Sequence, residues 1–290
     1  MSAERGVILA EVADLECNWT YRAQPLALRD HGRLWLNALR ARKAPPARAL
    51  RRPQPRRRWV VYFIFAPAGV LQPHHEFTLE RLRRLDAGLC VVVASPVSGD
   101  VARQLEGRCD ALVWKGLGGY DFSGYALALD AIAAASPGAD VLVMNDSVFG
   151  PFADLEAFFD LARWELTGFT ASDGAGVDHI QSYAFMLRQV TPERMDSLRR
   201  IFPRRRAFNA AWPTIVCREL QFAREASKAM TVGAFWYGRT AAVRDPSQGR
   251  AIELFAAGFP FLKRSLLSKA RDFGYEEAVR TLLQRHGHPL

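Results

Sequence analysis

The sequence predicts an α/β fold, a doubly wound, mostly parallel sheet flanked by helices. Three observations predict it. Short runs of Val, Ile, Leu and Phe recur from Trp59 onward, segments with helical apolar spacing separate them, and Gly, Pro, Asn and Asp mark the junctions. Strands alternating with helices in this way build parallel sheets covered on both faces.

Taken in order, Trp59–Phe65 reads as the first strand. Glu76–Leu85 follows as a helix, with Phe77, Leu79, Leu82 and Leu85 apolar. Leu89–Ala94 and Ala111–Trp114 are the next strands, with a short helix over Asp100–Glu106 between them. Ser123–Ala135 is an Ala- and Leu-rich helix closed by Ser136-Pro137-Gly138. Val141–Met144 is the central strand, four apolar residues suited to burial on both faces. After Gly150-Pro151, helical spacing resumes over Ala153–Trp164, with Leu155, Phe158, Phe159 and Ala162 on one face. His179–Leu187 reads as a strand whose period of two puts His179, Gln181, Tyr183 and Phe185 together. A helix from Cys217 to about Met230 carries Glu219, and a further helix follows Asp245-Pro246 and ends at Gly258.

The charge is unevenly placed. Residues 1–58 hold 13 Arg or Lys against 5 Asp or Glu, leaving 26 against 25 for residues 59–290, so the excess of cations belongs to a basic N-terminal arm. Within it Asp30 is placed to cap a helix through Lys43, with Leu34, Trp35, Ala38 and Leu39 among arginines. Pro45–Arg58 reads as a Pro/Arg-rich connector. The arm is open to three readings: contact with an anionic membrane surface, packing on the main domain, or nucleic acid. The last has no base-reading fold behind it, and no nucleic acid is expected as a partner. The division expected is an arm over 1–58 and one catalytic domain over 59–290.

With 49% apolar and 24% charged residues, the composition is that of a soluble globular protein. Neither a membrane-length apolar run nor a signal-peptide core is present, which points to the cytoplasm, with peripheral attachment to the inner face of the membrane as an option. Cys17, Cys90, Cys109 and Cys217 are scattered, which suggests no zinc site and no disulfide framework. GxGxxG does not follow the first strand, and no P-loop occurs, so a nucleotide must be held in another way.

The chemistry concentrates where strands end. Asn145-Asp146-Ser147 terminates the central strand, the position at which open α/β sheets bind ligands. Asp146 there suits a hard cation and, through it, a diphosphate. The same triplet is also an ordinary turn signal. Gly116–Tyr125 follows the third strand and opens a helix. Its glycines let backbone N–H groups approach an anion, while Asp121 suits sugar hydroxyls or simply an N-terminal turn. His179 and Gln181 offer hydrogen bonds to a sugar or a structural polar pair, and Asp173 and Asp178 lie in the loop before them as candidate bases or turn residues. Glu219 on its helix is placed to face the cleft or the solvent. Lys263 and Arg264 are placed to neutralise a diphosphate or to sit solvated.

In this order the segments resemble the rhamnan synthesis protein F family, bacterial glycosyltransferases of cell-surface polysaccharide assembly. The pieces that carry the resemblance are GYDFSGYALAL at 119–129, VLVMNDSVFGPF at 141–152, TGFT at 167–170, HIQSYAFML at 179–187, the Glu219 helix and DPSQ…GFPFLKRSLL at 245–267. The resemblance spans roughly residues 59–270. It departs at Lys115 and Leu117, where the family has Arg and Asn, and at Gln248, where it has His.

The resemblance implies a GT-A-like fold and transfer of a sugar, typically L-rhamnose from dTDP-rhamnose, to a glycan or lipid-linked acceptor. Donor contacts then fall to Lys115, Gly119, Asp121, Asn145, Asp146 and Ser147, with Asp146 holding Mg²⁺ or Mn²⁺. His179, Gln181, Glu219 and Lys263 face the acceptor or the transferred sugar, and Asp173, Asp178 and His179 are the catalytic candidates. A catalytically silent, glycan- or partner-binding subunit is the alternative.

Overall fold

The computed structural model describes residues 9–243 and 245–289. Its centre is a ten-stranded mixed sheet. Arg58–Phe65, Gly88–Ala94, Ala111–Lys115 and Ala139–Asn145 run parallel, with Arg58–Phe65 between Ala139–Asn145 and Gly88–Ala94. Leu166–Ser172 and Val232–Gly238 are parallel to each other. Ala184–Val190 lies antiparallel between Ala139–Asn145 and Leu166–Ser172, so those two strands point the same way. The carboxyl ends of all six co-directed strands therefore meet along one rim. The α/β class and the mostly parallel, helix-flanked sheet agree with the sequence pattern.

Alternation along the strands sorts side chains into two cores. Trp59, Val61, Phe63, Val141 and Val143 pack under the helix Tyr120–Ala135, against Tyr125, Leu129 and Ile132. Val60, Tyr62, Ile64, Leu142 and Met144 pack on the other face against Leu79, Leu82 and Phe158. Nearly all of these are fully buried, which explains why the strands read as unbroken apolar runs rather than alternating ones.

Several local expectations are corrected. The arm enters the sheet: Leu15–Thr20 pairs antiparallel with Val232–Gly238 at one edge, and Ala47–Arg51 pairs with Ala111–Lys115 at the other. The connector over Pro45–Arg58 thus contains a strand, because Pro is tolerated beside an edge where one row of N–H groups faces solvent. The basic helix covers Leu28–Ala38 rather than reaching Lys43, and Asp30 lies in its first turn instead of capping it. The expected strand His179–Leu187 is broken. His179–Ile180 pairs with Ala171–Ser172, a turn follows, and the strand restarts at Ala184. Tyr183 and Phe185 consequently enter different cores. The helix after the central strand is only Glu156–Leu161, although Leu155, Phe158, Phe159 and Ala162 are buried as the spacing required. No helix among the described residues is long and apolar enough to cross a membrane.

Candidate active site on the sheet rim

Two polar clusters occupy the rim, one on each side of the central strand. The first is built around Asp146. Its backbone N–H donates to the Phe63 carbonyl at 3.0 Å, locking it to the neighbouring strand. Its Oδ2 accepts the Phe65 N–H at 2.8 Å and lies 3.1 Å from His75 Nε2. His75 Nδ1 accepts the Gln72 N–H at 3.0 Å, so the ring proton sits on Nε2 and is donated to Asp146. Arg264 donates to the Asp146 carbonyl at 2.8 Å, and its own N–H to the Ser147 carbonyl at 2.9 Å. Phe65–Ala68, His74, Asp146, Arg264 and Arg280 are among the residues that line an open cavity of about 650 Å³, ample for a small ligand.

His74 stands beside this carboxylate. A ring nitrogen from each of His74 and His75 and a carboxylate oxygen of Asp146 lie within 4.8 Å of one another. His74 Nε2 is buried without a hydrogen-bond partner among the described residues, and burial, with His75 and Arg264 nearby, depresses its pKa to about 3. A neutral imidazole with an unused buried nitrogen beside a carboxylate is a donor set that fits a divalent cation. Its nitrogen favours a transition metal over Mg²⁺.

The second cluster lies under the start of the helix Tyr120–Ala135. Gly119 caps that helix with φ +86°, and a Cβ there would stand 2.6 Å from Ser123 Oγ, so only glycine fits. The turn presents Asp121, whose Oδ2 accepts from Asn145 Nδ2 at 2.7 Å and whose Oδ1 accepts the Phe122 N–H at 2.9 Å. Asn145 Oδ1 in turn accepts from the Ser147 N–H at 3.0 Å and hydroxyl at 2.5 Å. Glu219 Oε2 accepts the Ser182 N–H at 3.0 Å and the Ser182 hydroxyl. Lys263 places its ammonium 3.6 Å from the Tyr183 ring centre, within electrostatic reach of Asp245, Glu219 and Asp121. Burial lowers the pKa of Lys263 against the pull of those carboxylates. Burial, reinforced by Glu219, raises that of Asp121 to about 6.

Of the residues the sequence singled out, Asp121, Asn145, Ser147, Glu219 and Lys263 are brought together, with Asp146 one residue away facing the cavity. Lys115 is fully buried, donating to the Gly118 carbonyl at 2.6 Å, and burial lowers its pKa to about 8. His179 is buried, with Nδ1 3.1 Å from the Val177 carbonyl. Gln181 accepts from the Thr170 hydroxyl, which also bonds the Tyr183 hydroxyl at 2.6 Å. Asp173 follows the strand Leu166–Ser172, and Asp178 accepts from the Tyr237 hydroxyl at 2.8 Å. Sequence reasoning missed His74, His75 and Arg280. The signal for the first two was present, since Pro73-His74-His75 opens the helix after the first strand, the usual place for a ligand contact in such sheets.

No protein-family model matches the chain, and no curated protein matches it in sequence, so the likeness to the rhamnan synthesis proteins rests on the motifs alone. Solved structures do resemble it in fold. The 4-diphosphocytidyl-2C-methyl-D-erythritol synthase of Anaerococcus prevotii has a TM-score of 0.40 at 13% identity, covering 69% of this chain and 95% of that one. The inositol-1-phosphate CTP transferase of T. maritima gives 0.37 at 11%, covering 69% and 95%. TarS of S. aureus gives 0.37 at 12%, covering 78% and 77%.

Proposed function

We propose that the protein is a glycosyltransferase that binds a nucleotide-diphosphosugar on this rim and passes the sugar to a glycan or lipid-linked acceptor. The observation that carries the reading is the position of Asp146. It ends the central strand, is held by Phe65 and His75, and faces a cavity bordered by the cations Arg264 and Arg280. A diphosphate needs that balance of charge. The motif resemblance favours dTDP-rhamnose as donor.

Asp146 and His74 would hold a divalent cation, which when bound would neutralise charge on the leaving diphosphate. Arg264 and Arg280 orient the same group. Across the central strand, Asp121 and Lys263 hold hydroxyls of the transferred sugar. His179 and Gln181, further along the rim, support the acceptor side. A base removes the acceptor hydroxyl proton as the oxygen attacks the anomeric carbon, and the bond to the diphosphate breaks with inversion. Glu219 is the first choice for that base, because it sits beside Asp121 and Lys263. Asp173 and Asp178 come after it.

Thermal melting with dTDP-, UDP- and GDP-sugars, with and without Mn²⁺, tests the reading. One donor should stabilise the protein by roughly 2–3 kcal/mol at saturating concentration, and Asp146→Ala should abolish the shift. Binding without turnover would indicate a silent binding subunit. No shift with any donor, together with no hydrolysis, defeats the proposal.

A further inference from the structure

The helix Leu28–Ala38 is amphipathic in an unusual sense, because its larger apolar stripe faces outward. At about 100° per residue, Leu28, Trp35, Leu36 and Leu39 fall within roughly a quarter of the circumference. They are exposed by 90%, 64%, 59% and 56%. Its inner side holds the buried Asn37 and contributes only Leu34 to the small core of Ala41, Phe208, Val216 and Cys217. Trp212, also exposed, lies under the Arg33 guanidinium at 4.6 Å. Of the ten exposed large apolar residues among those described, five are therefore on this one face. Scattered exposed apolar residues need no explanation, but a concentrated stripe does.

The same face is strongly cationic. The ribbon pairing Arg42–Lys43 with Arg206–Ala207 runs beside the helix. Arg33, Arg40, Arg42, Lys43, Arg205 and Arg206 have no ion-pair partner among the described residues. Between helix and ribbon lies a groove of about 1040 Å³, with Trp35 and Ala38 on one wall and Arg204–Arg206 on another. Indole and leucine side chains interspersed with free arginines suit the boundary between lipid headgroups and acyl chains. A second copy of the chain would bring like charges together. A nucleic acid would leave the aliphatic stripe in water.

We propose that this face docks on an anionic lipid bilayer, with the Leu28–Leu39 stripe inserted and the surrounding cations on headgroup phosphates. The docking stands apart from the donor reading and does not depend on it. It does set an orientation, because Asn209, two residues beyond the ribbon strand Arg206–Ala207, accepts the Gly119 N–H at 3.0 Å. The bilayer would thus lie beside the turn that carries Asp121.

Co-sedimentation of the full chain with vesicles tests this. Vesicles with about 30% phosphatidylglycerol should bind at least ~10-fold more protein than pure phosphatidylcholine vesicles. Trp35→Ser with Leu36→Ser should cut binding ~10-fold or more, and Arg205→Glu with Arg206→Glu should do the same, more strongly at low salt. Unchanged melting of both variants shows that docking, not folding, was altered. The proposal is overturned by equal binding of the Trp35/Leu36 variant and wild type. It is equally overturned by tighter binding to RNA than to anionic vesicles, or by a solution dimer that these substitutions dissolve.

Discussion

The two sides of the central strand hold their charges in opposite ways. Around Asp146 the carboxylate is balanced by a backbone N–H, a neutral His75 donor and nearby arginines, and the space beyond it is open. Around Asp121 the groups are buried and crowded: Asp121 is pushed up to about 6, Lys115 down to about 8, and Lys263 is also depressed. The first arrangement is ready for a ligand's charge. The second holds a carboxyl and two lysines whose charged forms burial disfavours, the kind of setting in which acid–base groups are found. Each side thus suggests a separate function, ligand charge on one and proton control on the other.

The largest effect expected is that of Asp146→Ala, which should weaken donor binding by ~100-fold or more in calorimetry. It should also cost about 1–3 kcal/mol of stability, because the Phe65 N–H and His75 lose their acceptor. Asp146→Asn retains an oxygen for Phe65 and should recover most of the stability without the affinity. If Asn restores both, the charge at this position is not what the donor recognises.

Glu219→Gln should reduce turnover by ~100-fold or more while leaving donor affinity within about 2-fold. The amide keeps an acceptor for Ser182, so folding should survive. A parallel fall in donor affinity would merge the two sides into one binding site and remove the contrast.

Asp121→Asn should act on stability with a definite sign. The folded carboxyl, with pKa about 6 against an ordinary 3.8, binds its proton more tightly than the unfolded one. Stability therefore falls as pH rises from about 4 to 6, and the full cost is present at pH 7. The variant keeps one of the two acceptor oxygens and loses the titration, so its stability should show a flatter dependence between pH 4 and 6 in urea titrations. A steeper dependence in the variant would place the strain elsewhere.

These residues differ in how visible they were in the sequence. Asn145, Asp146 and Ser147 were legible because three polar residues interrupt a buried apolar run. Gly119 and Asp121 were legible because a glycine turn opened a helix. His74 and His75 gave a weaker signal, their place at the opening of the helix after the first strand, and the packing of that helix on the sheet is what brings them to Asp146. The edge strand Leu15–Thr20 was hidden for another reason. Its alternation of Leu15, Cys17 and Trp19 with Glu16, Asn18 and Thr20 is short, and its partner Val232–Gly238 lies near the far end of the chain. Phe185 was misplaced by assuming an unbroken period of two, which the turn before Ala184 interrupts, whereas Gln181 and Tyr183 do meet at the Thr170 hydroxyl.

The smallest effect should be that of Asp178→Asn, and it bears on the same contrast. Asp178 has the Tyr237 hydroxyl as a donor, and burial together with this carboxylate raises the pKa of that tyrosine. Tyr237 belongs to the strand Val232–Gly238, on the far side of Leu166–Ser172 from the central strand. At about 4.8 Å per strand, that strand is roughly 14 Å from the end of Ala139–Asn145, which ranks Asp178 behind Glu219 as the base for a sugar held at Asp121. An asparagine oxygen still accepts from Tyr237, so turnover should stay within about 3-fold of wild type and melting should barely move. A loss comparable with that of Glu219→Gln would instead mean that Asp178 reaches the acceptor hydroxyl beside His179 and Gln181, and would move proton control outward along the rim.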